Sequence, residues 1–314
     1  MLNTLKSLLI EQGACAVGVA EAEKVEETAR RHYLDWIRKG MHGTMTYLEN
    51  HLEVRFDPRL LLPEARSIVC VAFNYRQPNP LQGIATYALG MDYHHVIRKR
   101  LERVTSELRK RFGGEFRICI DSAPLLERYW AVKAGIGTRS PLHGNVSVPG
   151  VGSMVFLAEI ITTHRFETEC YGEPLFQPQD KVIESDNSSR QFPCPTGALG
   201  RDGVIDARRC INYLTIENRG EWTAEERALM SRQGACDALF GCDICQLADA
   251  LNREEFPEII DEFKPNEKLP LFIERLREEA ATGRPATPVD GFSLRRSPLG
   301  RAGRKSLIRN LKSR

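Results

Sequence analysis

The chain has 314 residues, enough for one large domain or two ordinary ones around a real hydrophobic core, and its 42% hydrophobic and 27% charged composition is that of an ordinary globular protein. A formal net charge of +2 implies no partner by itself. No run of about 18 apolar residues occurs, which excludes a helical membrane span, and nine scattered cysteines, an odd number, argue against a disulfide framework.

At the N-terminus, Leu2, Leu5, Leu8 and Leu9 fall at helical spacing up to Gly13, while Lys6, Glu11 and Gln12 break any signal-like apolar segment. This reads as an amphipathic helix of a cytoplasmic protein. The runs SIVCVAFNY (67–75), FRICI (116–120) and SMVFLAEII (153–161) are short, β-branched and apolar, as buried strands are. Cys15, Cys70 and Cys119 lie in such apolar runs and read as plain buried residues. Between the first two strands, Val96, Ile97, Leu101, Val104, Leu108 and Phe112 form one helical stripe. The other face carries Arg98, Lys99, Arg100, Arg103, Arg109, Lys110 and Arg111, either a solvated face or one that meets phosphates. The segment SAPLLERYWAVKAG reads as a helix opened by Pro124 and closed by Gly135. Alternating strands and helices predict an α/β domain, and Tyr171–Ser189, polar and proline-bearing, a boundary or long loop. The tail from Gly291 to Arg314, with eight basic residues and no acidic one, reads as a loose solubilising end or a basic arm for nucleic acid.

Cys194, Cys210, Cys236, Cys242 and Cys245 crowd into 52 residues. Cys194 opens Cys-Pro-Thr-Gly-Ala-Leu, the close of a ferredoxin run C-x2-C-x2-C-x3-C-P, yet the other three positions hold Glu184, Asn187 and Arg190. In two-cluster ferredoxins the fourth cysteine ligates the other cluster, so Cys194 has partners in Cys210, Cys242 and Cys245. The mirror run C-x2-C-x3-C would place a cysteine at 249, where Asp249 stands. The absent ligands thus make up one whole cluster and the four present make up the other. A four-cysteine zinc site uses the same donors, but the Cys-Pro-Thr-Gly-Ala-Leu context favours [4Fe–4S]. Cys236 reads as a spare.

Several long stretches resemble the epoxyqueuosine reductase family: DPRLLLPEARSIVCVAFNY (57–75), YALGMDYHHVIRKRL (87–101), IDSAPLLERYWAVKAGIG (120–137), CPTGAL (194–199), IDARRCINYLTIE (205–217), FGCDICQL (240–247) and SPLGRAGRKSLIRN (297–310). The resemblance implies an α+β or α/β fold, with a cobalamin-binding catalytic domain at 1–175, a ferredoxin-like [4Fe–4S] domain at 176–255, and a helical segment with a basic tail at 256–314. It implies reduction of epoxyqueuosine in tRNA to queuosine, with electrons from an external donor such as flavodoxin or ferredoxin reaching cobalamin, here through a single cluster. tRNA would meet the basic helix and the tail. Asp121 matches the family's general acid, and its place at a strand end suggests burial that would raise its pKa; a helix N-cap is the plainer reading. Arg128, seven residues on, matches an active-site arginine and would share a helix face with Asp121; its plainer reading is a surface salt bridge. Asp92 matches a pocket carboxylate or an ordinary cap, and Arg55, Asp121, Asn212 and Gly241 match cobalamin contacts. In GIGTRSPLHGNVSVPGVGS (135–153) the family's Trp and Lys are gone; Arg139 and His143 are candidate replacements, although a lone His in a Gly-rich loop is more often exposed. Two other readings stay open: a relative with another substrate, and a non-catalytic cobalamin-binding or electron-transfer protein.

Overall fold

Every residue of the strand Ser67–Asn74 is buried, because the alternation of its side chains feeds two separate cores. Val69, Val71 and Phe73 point into one, and Ile68, Cys70 and Ala72 into the other. The computed structural model describes residues 1–78, 81–140, 142–166, 194–200, 203–252 and 258–312. The strands are β1 (Ala16–Glu21), β2 (Ser67–Asn74), β3 (Phe116–Cys119), β4 (Thr138–Arg139), β5 (Val146–Ser147) and β6 (Val155–Thr162), and the helices are α1 (Leu2–Glu11), α2 (Glu27–Arg38), α3 (Leu52–Phe56), α4 (Tyr93–Phe112), α5 (Glu127–Lys133), α6 (Ala224–Met230), α7 (Ile244–Leu247), α8 (Leu269–Thr282) and α9 (Gly303–Lys312).

The main sheet has the order β1-β2-β6-β3 and every neighbouring pair is antiparallel. The fold is therefore mixed α and β, with its sheet on the α+β side of the expectation. On one face, α1 and α4 bury Leu5, Leu9, Val96, Ile97, Leu101, Val104 and Leu108. At about 1.5–3 kcal/mol for each such side chain, packing rather than helix propensity holds α4 in place. Phe112, the last member of the predicted stripe, is instead exposed at the helix end. The other face packs Phe56, Trp130, Ala131 and Ala134.

β1 was not among the predicted strands. It is built from small residues (AVGVAE), and Gly18 is required because a Cβ there would overlap the Ala134 carbonyl. Cys70 and Cys119 are buried as expected; Cys15 is only partly so, its thiol donating to the Ala72 carbonyl. The helix predicted from Pro124 starts only at Glu127, because bends occupy residues 121–125.

The C-terminal segment is neither loose nor a free arm. Leu269, Phe272, Ile273, Leu276, Leu299 and Leu307 share a core with Ile84, Leu89 and Phe240. Three of the tail's cations are paired with other parts of the fold, Arg309 in the interior and Arg301 and Arg304 at the surface. Arg309 lies over the Trp222 ring and donates to the carbonyls of Leu214, Asn218 and Gly220. Arg301 pairs with Glu217, and Arg304 with Glu279. Among the described residues no helix is long and apolar enough to cross a membrane.

Candidate active site

Asp92 caps α4, its carboxylate accepting the His94 N–H at 2.9 Å. The same oxygen lies 2.8 Å from His94 Nδ1, and Asp121 Oδ2 lies 3.2 Å from His94 Nε2. With an acceptor-only carboxylate on each nitrogen, both must donate, so the ring is an imidazolium. Burial and the positive end of α4 oppose that charge, but the two carboxylates outweigh them and raise His94 to about 9. Asp121 Oδ2 also accepts from the Tyr93 hydroxyl at 3.0 Å.

Asp121 sits at φ +52°, outside any helix, and its N–H donates to Glu127 Oε1 at 2.5 Å. It is therefore not an N-cap, and it shares no helix face with Arg128. The expectation that burial raises its pKa is also corrected. Burial does push it up, but the bonds and charge of His94, the Tyr93 hydroxyl and the Arg301 charge together bring it below the usual carboxylate range. Glu127 is the raised member of the pair, pushed up to about 8 by burial and the neighbouring Asp121 charge. Behind them Glu159, fully buried on β6, has no hydrogen-bond partner for either carboxylate oxygen among the described residues, and burial pushes it well up. Asp121 keeps 54% of its side-chain surface open although protein surrounds it on most sides, as at the floor of a cleft.

The adjoining cavity, about 230 Å³, is lined by Tyr75, Tyr87, Tyr93, Phe156, Arg128 and Gln246, among others. Tyr93 stacks on Phe156 with ring centroids 4.3 Å apart, and Tyr75 leans on the same ring at 4.6 Å. The result is a broad aromatic wall with the charged cluster at one end. Among the described residues Arg128 makes no salt bridge: it donates to Gly144 O at 3.3 Å and Asn145 Oδ1 at 3.4 Å. His143, expected to be exposed, is fully buried and lies 3.0 Å from Asp249 Oδ2. Arg139 reaches instead to Gly203 O at 3.4 Å.

Four thiols act on one another electrostatically: Cys194 on Cys210, Cys210 on Cys242, and both Cys194 and Cys210 on Cys245. Cys236 is not needed to complete the set. Burial pushes up Cys210, and takes Cys242 and Cys245 to about 12, so these thiols stay protonated unless a cation compensates them. Cys194 Sγ accepts the Ala198 N–H at 3.4 Å, the kind of bond that tunes cluster sulfur. Among the described residues no three His, Cys, Asp or Glu side chains converge as a single ion requires, and for zinc that means sulfurs about 3.8 Å apart. Positions 184, 187 and 190 lie outside the described residues.

Asn212 and Gly241 join this thiol set to the aromatic wall. Asn212 Oδ1 accepts the Cys242 N–H at 2.9 Å. Gly241, at φ +76°, leaves no room for a Cβ, which would lie 2.5 Å from Ala85 Cβ and 3.4 Å from the Tyr87 ring. Arg55 stands apart from the charged cluster, buried over the Tyr33 ring at 5.5 Å, with no hydrogen-bond partner for its Nε among the described residues. Sequence reasoning missed His94, Tyr93 and Glu127. The Asp-Tyr-His order at a helix start was the available signal for His94, since a cap side chain reaches the residue two later.

Comparison with known proteins gives two family matches: "Epoxyqueuosine reductase QueG, DUF1730" over residues 55–122 and "4Fe-4S double cluster binding domain" over residues 192–248. The second begins after positions 184, 187 and 190 and takes in all four interacting cysteines. The chain is 34% identical over 274 residues to the epoxyqueuosine reductase of Cellulophaga algicola, covering 85% of this chain and 84% of that one. It is 33% identical to that of Pseudomonas aeruginosa, covering 99% and 84%. A crystal structure of epoxyqueuosine reductase with an epoxyqueuosine-modified tRNA-Tyr stem loop matches with a TM-score of 0.78 at 26% identity, covering 99% of this chain and 79% of that one. The Bacillus subtilis enzyme, with its catalytic aspartate loop swung out of the active site, matches with a TM-score of 0.76 at 26% identity, covering 99% and 79%.

Proposed function

The chain belongs to the epoxyqueuosine reductase family, and we propose that it removes the epoxide oxygen of epoxyqueuosine in tRNA, giving queuosine, with cobalamin and a single [4Fe–4S] cluster. The observation that carries this reading is the charged cluster of Asp92, His94, Tyr93 and Asp121 at the end of the aromatic cleft.

Loss of the epoxide oxygen as water consumes two electrons and two protons. His94 holds one proton at Nε2, against the Asp121 carboxylate, and Glu127, pushed up to about 8, holds another beside the Asp121 backbone. Asp121, ionised and open to the cleft, is the group through which the His94 proton reaches the departing oxygen. Its left-handed backbone supports a loop that can move, as the aspartate loop of the Bacillus subtilis relative does. Arg128, anchored to the 144–145 turn, orients the substrate.

Cobalamin, when bound, would supply the reducing centre at which the carbon–oxygen bond is broken, fed with electrons by the cluster and an external donor such as flavodoxin or ferredoxin. The wall of Tyr75, Tyr87, Tyr93 and Phe156 offers an aromatic surface against which one edge of a corrin would pack, and Arg55, Asn212 and Gly241, outside that cavity, are the proposed contacts. Cys194, Cys210, Cys242 and Cys245 would hold the cluster. The four thiols act on one another electrostatically, and the matched 4Fe-4S double cluster binding domain spans all of them, which favours iron–sulfur over zinc. The tRNA would approach over the exposed cations of α4, whereas the tail cations Arg301, Arg304 and Arg309 are committed to the fold.

Asp121→Asn tests the reading. It should abolish reduction of epoxyqueuosine tRNA while corrinoid binding persists, and unchanged turnover would remove Asp121 from the chemistry.

A further inference from the structure

Asp249 stands where the C-x2-C-x3-C spacing would put a cysteine of a second cluster, and it is not an idle replacement. Its carboxylate accepts from His143 Nε2 at 3.0 Å, Ser147 Oγ at 3.3 Å, Ser140 Oγ at 3.4 Å and the Leu251 N–H at 3.1 Å. Four donors satisfy a buried anion, and with His143 they hold its pKa below the ordinary range against the effect of burial.

His143 has a fixed tautomer. Its Nδ1 accepts the Asn145 N–H at 3.2 Å, so Nε2 carries the hydrogen that Asp249 receives. The same Gly144–Asn145 turn presents Gly144 O and Asn145 Oδ1 to Arg128, and both Asn145 and Arg128 line the aromatic cavity. The series Asp249, His143, Asn145, Arg128 therefore runs without a break from the cysteine-bearing segment into the cleft. Two departures in the sequence, the Asp at 249 and the altered 138–150 loop, meet in one hydrogen bond.

We propose that Asp249 and His143 form a buried positioning pair, built where a second cluster's ligand would stand, that fixes the 143–145 turn and so aims Arg128 at the substrate. Neither residue touches substrate; both act through Arg128. The role given to Arg128 rests on the epoxyqueuosine reading.

The test is a double-mutant cycle read as KM and kcat separately, with epoxyqueuosine stem-loop RNA as substrate. His143→Ala and Asp249→Ala should each raise KM about tenfold and leave kcat within about threefold. Adding His143→Ala to Arg128→Ala should cost nothing further, and Asp249→Asn, which keeps an acceptor oxygen for His143, should restore most of the loss. Losses that add in the double variant would overturn the proposal, as would a fall in kcat alone. Asn145→Ala leaves the buried pair intact and carries the same expectation if the Asp249 variant does not fold. A crystal structure of the Asn145→Ala or His143→Ala protein judges the geometry independently of turnover. The Arg128 guanidinium should leave its present position, and an unmoved guanidinium refutes the inference. If the wild-type protein does not reduce epoxyqueuosine, the functional reading fails while this structural arm still decides the positioning role.

Discussion

His94→Gln is the perturbation that probes the proton store most sharply. The rise of His94 from 6.5 to about 9 corresponds to about 3 kcal/mol in favour of the imidazolium, reduced to about 1–2 kcal/mol because water reaches a third of the side chain. A raised histidine contributes this stability in full below pH 6.5 and loses it as pH climbs through 9. Glutamine can donate to one of the two carboxylates but carries no charge between them. The variant should therefore be about 1–2 kcal/mol less stable than the wild type at pH 6 in urea titrations, with the gap closing by pH 10. Turnover should drop by about 10²–10⁴-fold, the usual worth of a positioned proton donor. Turnover within threefold of wild type, together with a stability gap that does not change with pH, would refute both the charge state and the role of His94.

Removing any one of Cys194, Cys210, Cys242 or Cys245 should collapse the iron content of anaerobically reconstituted protein from about four per chain, whereas Cys236→Ser should leave it unchanged; retained iron would strike that thiol from the ligand set. Gly241→Ala should cost about 1–3 kcal/mol in urea unfolding, because a Cβ at φ +76° would press on Ala85, and a neutral substitution would show that the backbone yields there. Arg309→Met should lower stability by about 3–5 kcal/mol, since the buried carbonyls of Leu214 and Asn218 and the half-buried one of Gly220 lose their donor, and a loss under 1 kcal/mol would return the tail to a peripheral role.

The sheet's inner strands and α4 were legible because continuous β-branched runs and a 3.6-residue stripe report burial directly. β1 was not, since its small side chains are explained only by the approach of the Ala134 carbonyl from a distant helix. The four cysteines could be grouped from spacing and motif alone. The protonation pattern could not: Asp121 lies 27 residues from His94, and only the fold shows which of the two holds the proton. The basic tail misled for a similar reason, because charge composition does not reveal that Arg309 points inward to three carbonyls. His143 was misjudged because its partner, Asp249, is 106 residues away.

If one cluster suffices for reduction, the reaction should run on protein that carries it alone. Protein reconstituted anaerobically with iron, sulfide and cobalamin, and assayed for iron, should be incubated with a reductant and epoxyqueuosine tRNA, and the nucleosides then resolved by mass spectrometry. Queuosine, one oxygen lighter, should form from protein carrying about four irons per chain. Unchanged epoxyqueuosine at that loading, or activity only at about eight irons per chain, would show that one cluster does not suffice.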